Sequence, residues 1–90
     1  MTTLEQIRRF VIEESRWDRP PEDLTADVPL VEQRILDSIG LLHLVMFLEE
    51  QFGLSIDDRD ITTANLGTLS SIEAFVSRKR TPPGGPPAAG

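Results

Sequence analysis

The sequence predicts an all-α protein, a small four-helix bundle with a long first loop and a short third helix. Three observations carry this reading. Apolar residues recur at helical spacing in separate stretches, and residues suited to helix ends flank those stretches. No stretch of useful length alternates apolar with polar residues as a strand would, and no internal repeat is visible.

The first helix is expected from about Thr3 to Ser15. Thr2 with Glu5, and Thr3 with Gln6, have capping-box spacing, and Leu4, Ile7, Phe10 and Val11 form the apolar stripe. A long polar connection follows. Pro20-Pro21 blocks helix there, and Leu24, Val28, Leu30 and Val31 are its expected anchors in the core. A connection of that length implies that the first helix crosses over to reach its neighbours. The second helix, Ser38 to about Phe52, is the most strongly patterned and has Gly53 at the place of a C-terminal cap. Between Leu54 and Gly67 a loop is expected, with a short helical turn near Thr62–Leu66. The last helix opens with Ser70 and Glu73 in capping-box spacing and turns Ile72, Phe75 and Val76 inward. It ends in Arg78-Lys79-Arg80, whose charge suits the negative end of a helix dipole. Residues 1–80 form the expected domain. Residues 81–90, with four prolines, three glycines and no charge, read as a disordered tail or the stub of a linker.

Composition narrows the function. Ninety residues with 39% hydrophobic content support one core and one domain. The absence of cysteine removes disulfides, thiolate metal sites and cysteine nucleophiles together, and a single histidine, His43, removes sites needing several imidazoles. The net charge of −6 speaks against nucleic acid and against an anionic membrane surface. No apolar run approaches the roughly 20 residues that span a bilayer, and the N-terminus lacks the pattern of a secretory signal. A cytoplasmic monomer, too poor in reactive groups for an independent enzyme, is expected. The charge is concentrated between Asp37 and Ser77, where seven acids meet one base, so a partner docking there should be basic.

The second helix has two apolar lines. At about 100° per residue, Leu41, Leu44, Val45, Leu48 and Phe52 cluster as a core stripe. Ile39, Leu42 and Met46 form another line, edged by Glu49 and Glu50. Either a central helix packs on two sides, or an exposed apolar strip bordered by carboxylates serves for transient docking. Met46 suits the docking strip, because a flexible thioether adapts to several partners. His43 lies near Glu50 on the outer part of the helix, where a solvated histidine is the default and a metal role has no second ligand.

Asp37-Ser38 stands where the connection meets this helix. Either residue can cap free backbone N–H groups. The Ser38 hydroxyl at a helix N-terminus is equally well placed to bear a phosphate. As a nucleophile it lacks a general base other than His43, which projects elsewhere, and no oxyanion-hole glycine motif precedes it.

Asp37-Ser38-Ile39, followed by Leu42, Leu44-Val45-Met46, Leu48-Glu49-Glu50 and Phe52, resembles the acyl carrier proteins and peptidyl carrier domains. The resemblance covers roughly Thr3 to Arg80. It implies that Ser38, beside Asp37, accepts 4′-phosphopantetheine from coenzyme A through a separate Mg²⁺-dependent phosphopantetheinyl transferase. The arm's thiol would then carry an acyl, aminoacyl or polyketide group as a thioester, between a loading enzyme and downstream acyltransferases, synthases or modifying enzymes. By the same resemblance Ile39, Leu42, Met46, Glu49 and Glu50 form the surface for basic partner enzymes. Gly40 and His43 depart from the fatty-acid carriers, in which acids are common at those places. The stretch Asp60–Thr68 looks more like stand-alone carriers of polyketide and nonribosomal peptide pathways. Two other readings compete with the carrier. One is an unmodified helical adaptor that keeps the fold and binds through the second helix; the other, a serine hydrolase, lacks a visible base and oxyanion site.

Overall fold

A computed structural model of the chain describes residues 2–80. These form four α-helices: α1 (Thr3–Ser15), α2 (Ser38–Phe52), α3 (Thr63–Leu66) and α4 (Leu69–Arg80). Single 3₁₀ turns at Pro21–Asp23 and Asp58–Asp60 interrupt the two long connections. The expected tail lies outside the described residues. No helix among them is long and apolar enough to cross a membrane.

The local signals act as written. Thr2 and Glu5 close a capping box on α1, the Thr2 hydroxyl accepting from the Glu5 amide at 3.1 Å and the Glu5 carboxylate from the Thr2 amide at 3.3 Å. Gly53 ends α2 at φ 67°, a left-handed conformation that strains any residue with a Cβ. Thr62 caps α3, accepting from the Asn65 amide. α1 packs on α2 and α4, as the long crossing predicts, and α4 also packs on α2 and α3.

The core gathers Ile7 and Val11 from α1, Leu44 and Leu48 from α2, and Leu69, Ile72, Phe75 and Val76 from α4. Leu24, Leu30 and Leu36 join it from the first connection. Burying such a side chain contributes about 1.5–3 kcal/mol, so this loop is an integral part of the core. Of the expected anchors, Leu24 and Leu30 are fully enclosed and Val28 is half-buried, but Val31 is 39% exposed. Residues 29–33 form one helical turn, closed by Gln33 donating to the Pro29 carbonyl. Neighbours on such a turn point about 100° apart, and here Leu30 takes the inward direction while Val31 stands toward solvent.

The start of α4 differs from expectation. Leu69 is fully buried and already helical, and the reciprocal cap runs between Thr68 and Ser71. The Thr68 hydroxyl accepts from the Ser71 amide and the Ser71 hydroxyl from the Thr68 amide, each at 3.0 Å. The Ser70 amide is engaged elsewhere, donating to the Ala26 carbonyl at 3.0 Å. At the other end the basic trio is used internally as well as for the dipole. Arg78 donates to the Asn65 side chain at 2.9 Å, Lys79 pairs with Asp60 at 3.1 Å, and Arg80 lies over the Phe52 ring.

Asp60 accepts from the Asp57 amide as well as pairing with Lys79, and these two contacts, the amide foremost, hold its carboxyl below the ordinary 3.8. A carboxyl depressed in the native state binds its proton more weakly than in the unfolded chain. Its contribution is therefore complete above 3.8 and is lost as pH falls through the lower native value. Urea titrations of wild type and Asp60→Asn should show the wild type more stable near neutrality, with the difference shrinking as pH falls from 3.8 toward the lower native value. A difference independent of pH would exclude this clamp.

Candidate functional site

The approach to α2 is a tightly closed turn. Ile35 donates to the Leu30 carbonyl at 2.8 Å and Arg34 to the Val31 carbonyl at 3.0 Å, the paired bonds of a Schellman motif. Arg34 takes the left-handed position of this motif at φ 59°, where glycine is the usual occupant. A side chain there costs roughly 1–2 kcal/mol. The turn drives Leu36 into the core and releases Asp37 and Ser38 at the surface.

Asp37 is the cap of α2. Its carboxylate accepts from the Gly40 amide at 2.8 Å, and its carbonyl accepts from Leu41. Ser38 is the first helical residue and is exposed, so its hydroxyl is free of the capping task. The amides of Ser38 and Ile39 precede the first carbonyl the helix can offer them. Gly40 lets this first turn lie against Leu36, whose Cδ2 is 3.1 Å from where a Cβ would stand.

Beyond this point α2 divides cleanly. Leu44, Val45 and Leu48 are buried, and Leu41 and Phe52 half-buried. The second line is open to solvent: Ile39 is 61%, Leu42 55% and Met46 51% exposed. The helix therefore does not pack on two opposed faces in this way. Phe47, whose role the sequence pattern did not bring out, packs α2 on α1; it stacks on Phe10 at 4.5 Å and meets Phe52 edge-on. Glu50 is exposed on the open face. Glu49 is half-buried, and its carboxylate accepts from the Ile56 amide at 2.9 Å, tying α2 to the loop behind it. His43 is exposed, as expected of a surface histidine, and its Nδ1 lies 2.7 Å from the Glu14 carboxylate of α1. No group of three or more His, Cys, Asp or Glu suited to a metal ion occurs among the described residues.

Beside Ser38 an open trough of about 270 Å³ runs between the end of α1 and the start of α2, lined by Glu14, Ser15, Arg34, Ile35, Leu36, Asp37, Ile39 and Gly40. The division of labour between Asp37 and Ser38 is measurable. Asp37→Ala should lower unfolding stability by about 1 kcal/mol through loss of the cap. Ser38→Ala should stay within about 0.5 kcal/mol of wild type, as surface substitutions do. Equal losses in urea denaturation would show that the two residues share the cap.

Comparison with known proteins agrees with this architecture. Residues 5–76 match the family model described as a phosphopantetheine attachment site. PigG of a Serratia strain, named as a probable acyl carrier protein, is 35% identical over 66 residues, covering 73% of this chain and 76% of that protein. An acyl carrier protein of Thermosynechococcus vestitus is 29% identical over 76 residues, covering 84% and 89%. The solution structure of a holo acyl carrier protein from Nitrosomonas europaea superposes with TM-score 0.72 at 31% identity, covering 88% of this chain and 96% of that one. KstB-PCP in its apo form gives 0.69 at 32%, covering 92% and 91%. The chain thus belongs to the phosphopantetheine-binding family of acyl carrier proteins, whose covalently bound cofactor is 4′-phosphopantetheine.

Proposed function

We propose that Ser38 is the residue that carries 4′-phosphopantetheine, and that the chain is a non-catalytic carrier of acyl or aminoacyl groups in polyketide or nonribosomal peptide biosynthesis. The observation that supports this most is the division at the start of α2: Asp37 caps the helix, which leaves the exposed Ser38 hydroxyl for chemistry. A helix N-terminus also favours an attached anion. The likenesses to PigG, named a probable acyl carrier protein, and to KstB-PCP support the carrier role, and the Asp60–Thr68 stretch supports the pathway class.

The residues present fit the group. Ser38 is exposed on the surface, and its neighbours Asp37 and Ile39 line the trough. In the attachment step the Ser38 oxygen bonds to the pantetheine-side phosphorus of coenzyme A. The pyrophosphate bridge breaks, the adenosine bisphosphate leaves, and the hydroxyl proton passes to a base of the transferase. Once bound, the group supplies the thiol that this cysteine-free chain lacks. The protein's own part is to hold the attachment point rigid on α2 and to present the neighbouring face to partners. Incubation with coenzyme A and a phosphopantetheinyl transferase, followed by intact-mass measurement, should show one added arm on wild type and none on Ser38→Ala. An arm on both proteins, or on neither, would exclude Ser38 as the site. Retained pathway activity in the unmodifiable variant would favour the adaptor.

Ile39, Leu42 and Met46 with Glu50 form the docking surface for basic partners in this reading. Fully exposed charge of this kind acts on association rate more than on residence time. Glu50→Lys should slow association with the transferase and flatten its salt dependence while leaving stability unchanged. Glu49→Lys should in addition lower stability, because it removes the acceptor of the Ile56 amide. Stopped-flow association at varied salt, paired with urea denaturation, checks both; an unchanged rate for Glu50→Lys moves the docking surface elsewhere.

A further inference from the structure

We propose that Arg34 is the phosphodiester-binding residue of this site: its guanidinium pairs with the phosphate on Ser38 and lays the first part of the arm into the trough between α1 and α2. The inference rests on Ser38 being the attachment residue.

Four observations converge on Arg34. Its backbone is left-handed at φ 59°, in a turn that a glycine would complete without strain, so the side chain is present against the local preference. It is the only base lining the trough, which it shares with the acids Glu14 and Asp37 and with Ile39, so that both chain neighbours of Ser38 line it too. Both acids are occupied, Glu14 by His43 at 2.7 Å and Asp37 by the Gly40 amide at 2.8 Å. Arg34 itself is exposed and makes no ion pair among the described residues. Arg16, the other non-glycine residue with a positive φ, ends α1 as its cap and lines no part of this trough.

The electrostatics of modification supply the reason for such a cation. Attachment brings a permanent negative charge to Ser38, one residue from the Asp37 carboxylate and near that of Glu14. The free amides at the start of α2 offset part of this, but Asp37 already occupies the Gly40 amide. A guanidinium offers two parallel donors to two phosphate oxygens, a match that an ammonium cannot make in the same way.

The test compares wild type, Arg34→Gly and Arg34→Lys as apo and holo proteins, each taken to complete conversion as read by intact mass. Glycine accepts the left-handed position, so apo Arg34→Gly should be at least as stable as apo wild type. In holo wild type the ³¹P resonance should stand apart from its position in urea-unfolded protein. It should move most of the way to that position in Arg34→Gly and part of the way in Arg34→Lys. The urea midpoint should rise on modification of wild type, and Arg34→Gly should lose most of that rise. An identical ³¹P position and an identical rise in wild type and Arg34→Gly would overturn the proposal. A wild type that takes no arm would instead overturn the Ser38 reading, and this one with it.

Discussion

Leu30 is the fixed point of the molecule. Its side chain is fully enclosed, its amide donates to the Gly67 carbonyl at 2.7 Å, and its carbonyl accepts from both Ile35 and Leu36. A long connection without strands has no ladder in which to satisfy its buried backbone groups, so each must find a partner singly. Leu30 supplies several of those partners at one place. It joins the first connection to the junction of α3 and α4, and through Leu36 it sets the height at which α2 begins. Gly67 belongs to the same constraint: a Cβ there would run into the Thr63 carbonyl and stand 2.9 Å from the Thr63 methyl. The position of Ser38 on the surface is thus decided by leucines inside.

The charges are arranged in two classes. Several in the C-terminal half of the fold are engaged within it, Lys79 with Asp60, Arg78 with Asn65 and Glu49 with the Ile56 amide. Partly exposed pairs of this kind add little to stability, on the order of 1 kcal/mol or less each. Their effect is mainly to hold the loop before α3 against α4. Arg34, before the start of α2, and Glu50, near its end, are exposed and make no ion pair among the described residues.

Much of this was legible in the residues because it is local. The Thr2–Glu5 box, the Gly53 cap and the span of α2 depend on spacings within a single helix, and these carry over unchanged. The two apolar lines of α2 were also visible, but whether both are covered depends on which elements pack there, a question of tertiary packing alone. Val31 was misplaced because which of two neighbours on that turn faces the core is set by the surrounding packing, and Leu30 takes that place. The α4 cap was missed because Ser71 performs at that position what glutamate or glutamine usually does. Asp37 and Ser38 are chemically equivalent as caps, and only the 2.8 Å bond to Gly40 separates them. Arg34 gave no signal, since left-handed turns are sought through glycine and asparagine.

The open face of α2 has a bearing on how such a chain diversifies. Ile39, Leu42 and Met46 stay outside the core, whereas Leu44, Val45 and Leu48, on the same helix and interleaved with them, are the part of it that α2 supplies. One segment of fifteen residues therefore carries two independent alphabets, one read by the core and one by whatever enzyme comes alongside. Lineages can rewrite the outer letters without disturbing the inner ones. A duplicated gene could acquire a new set of enzymes to serve while its scaffold stayed the same.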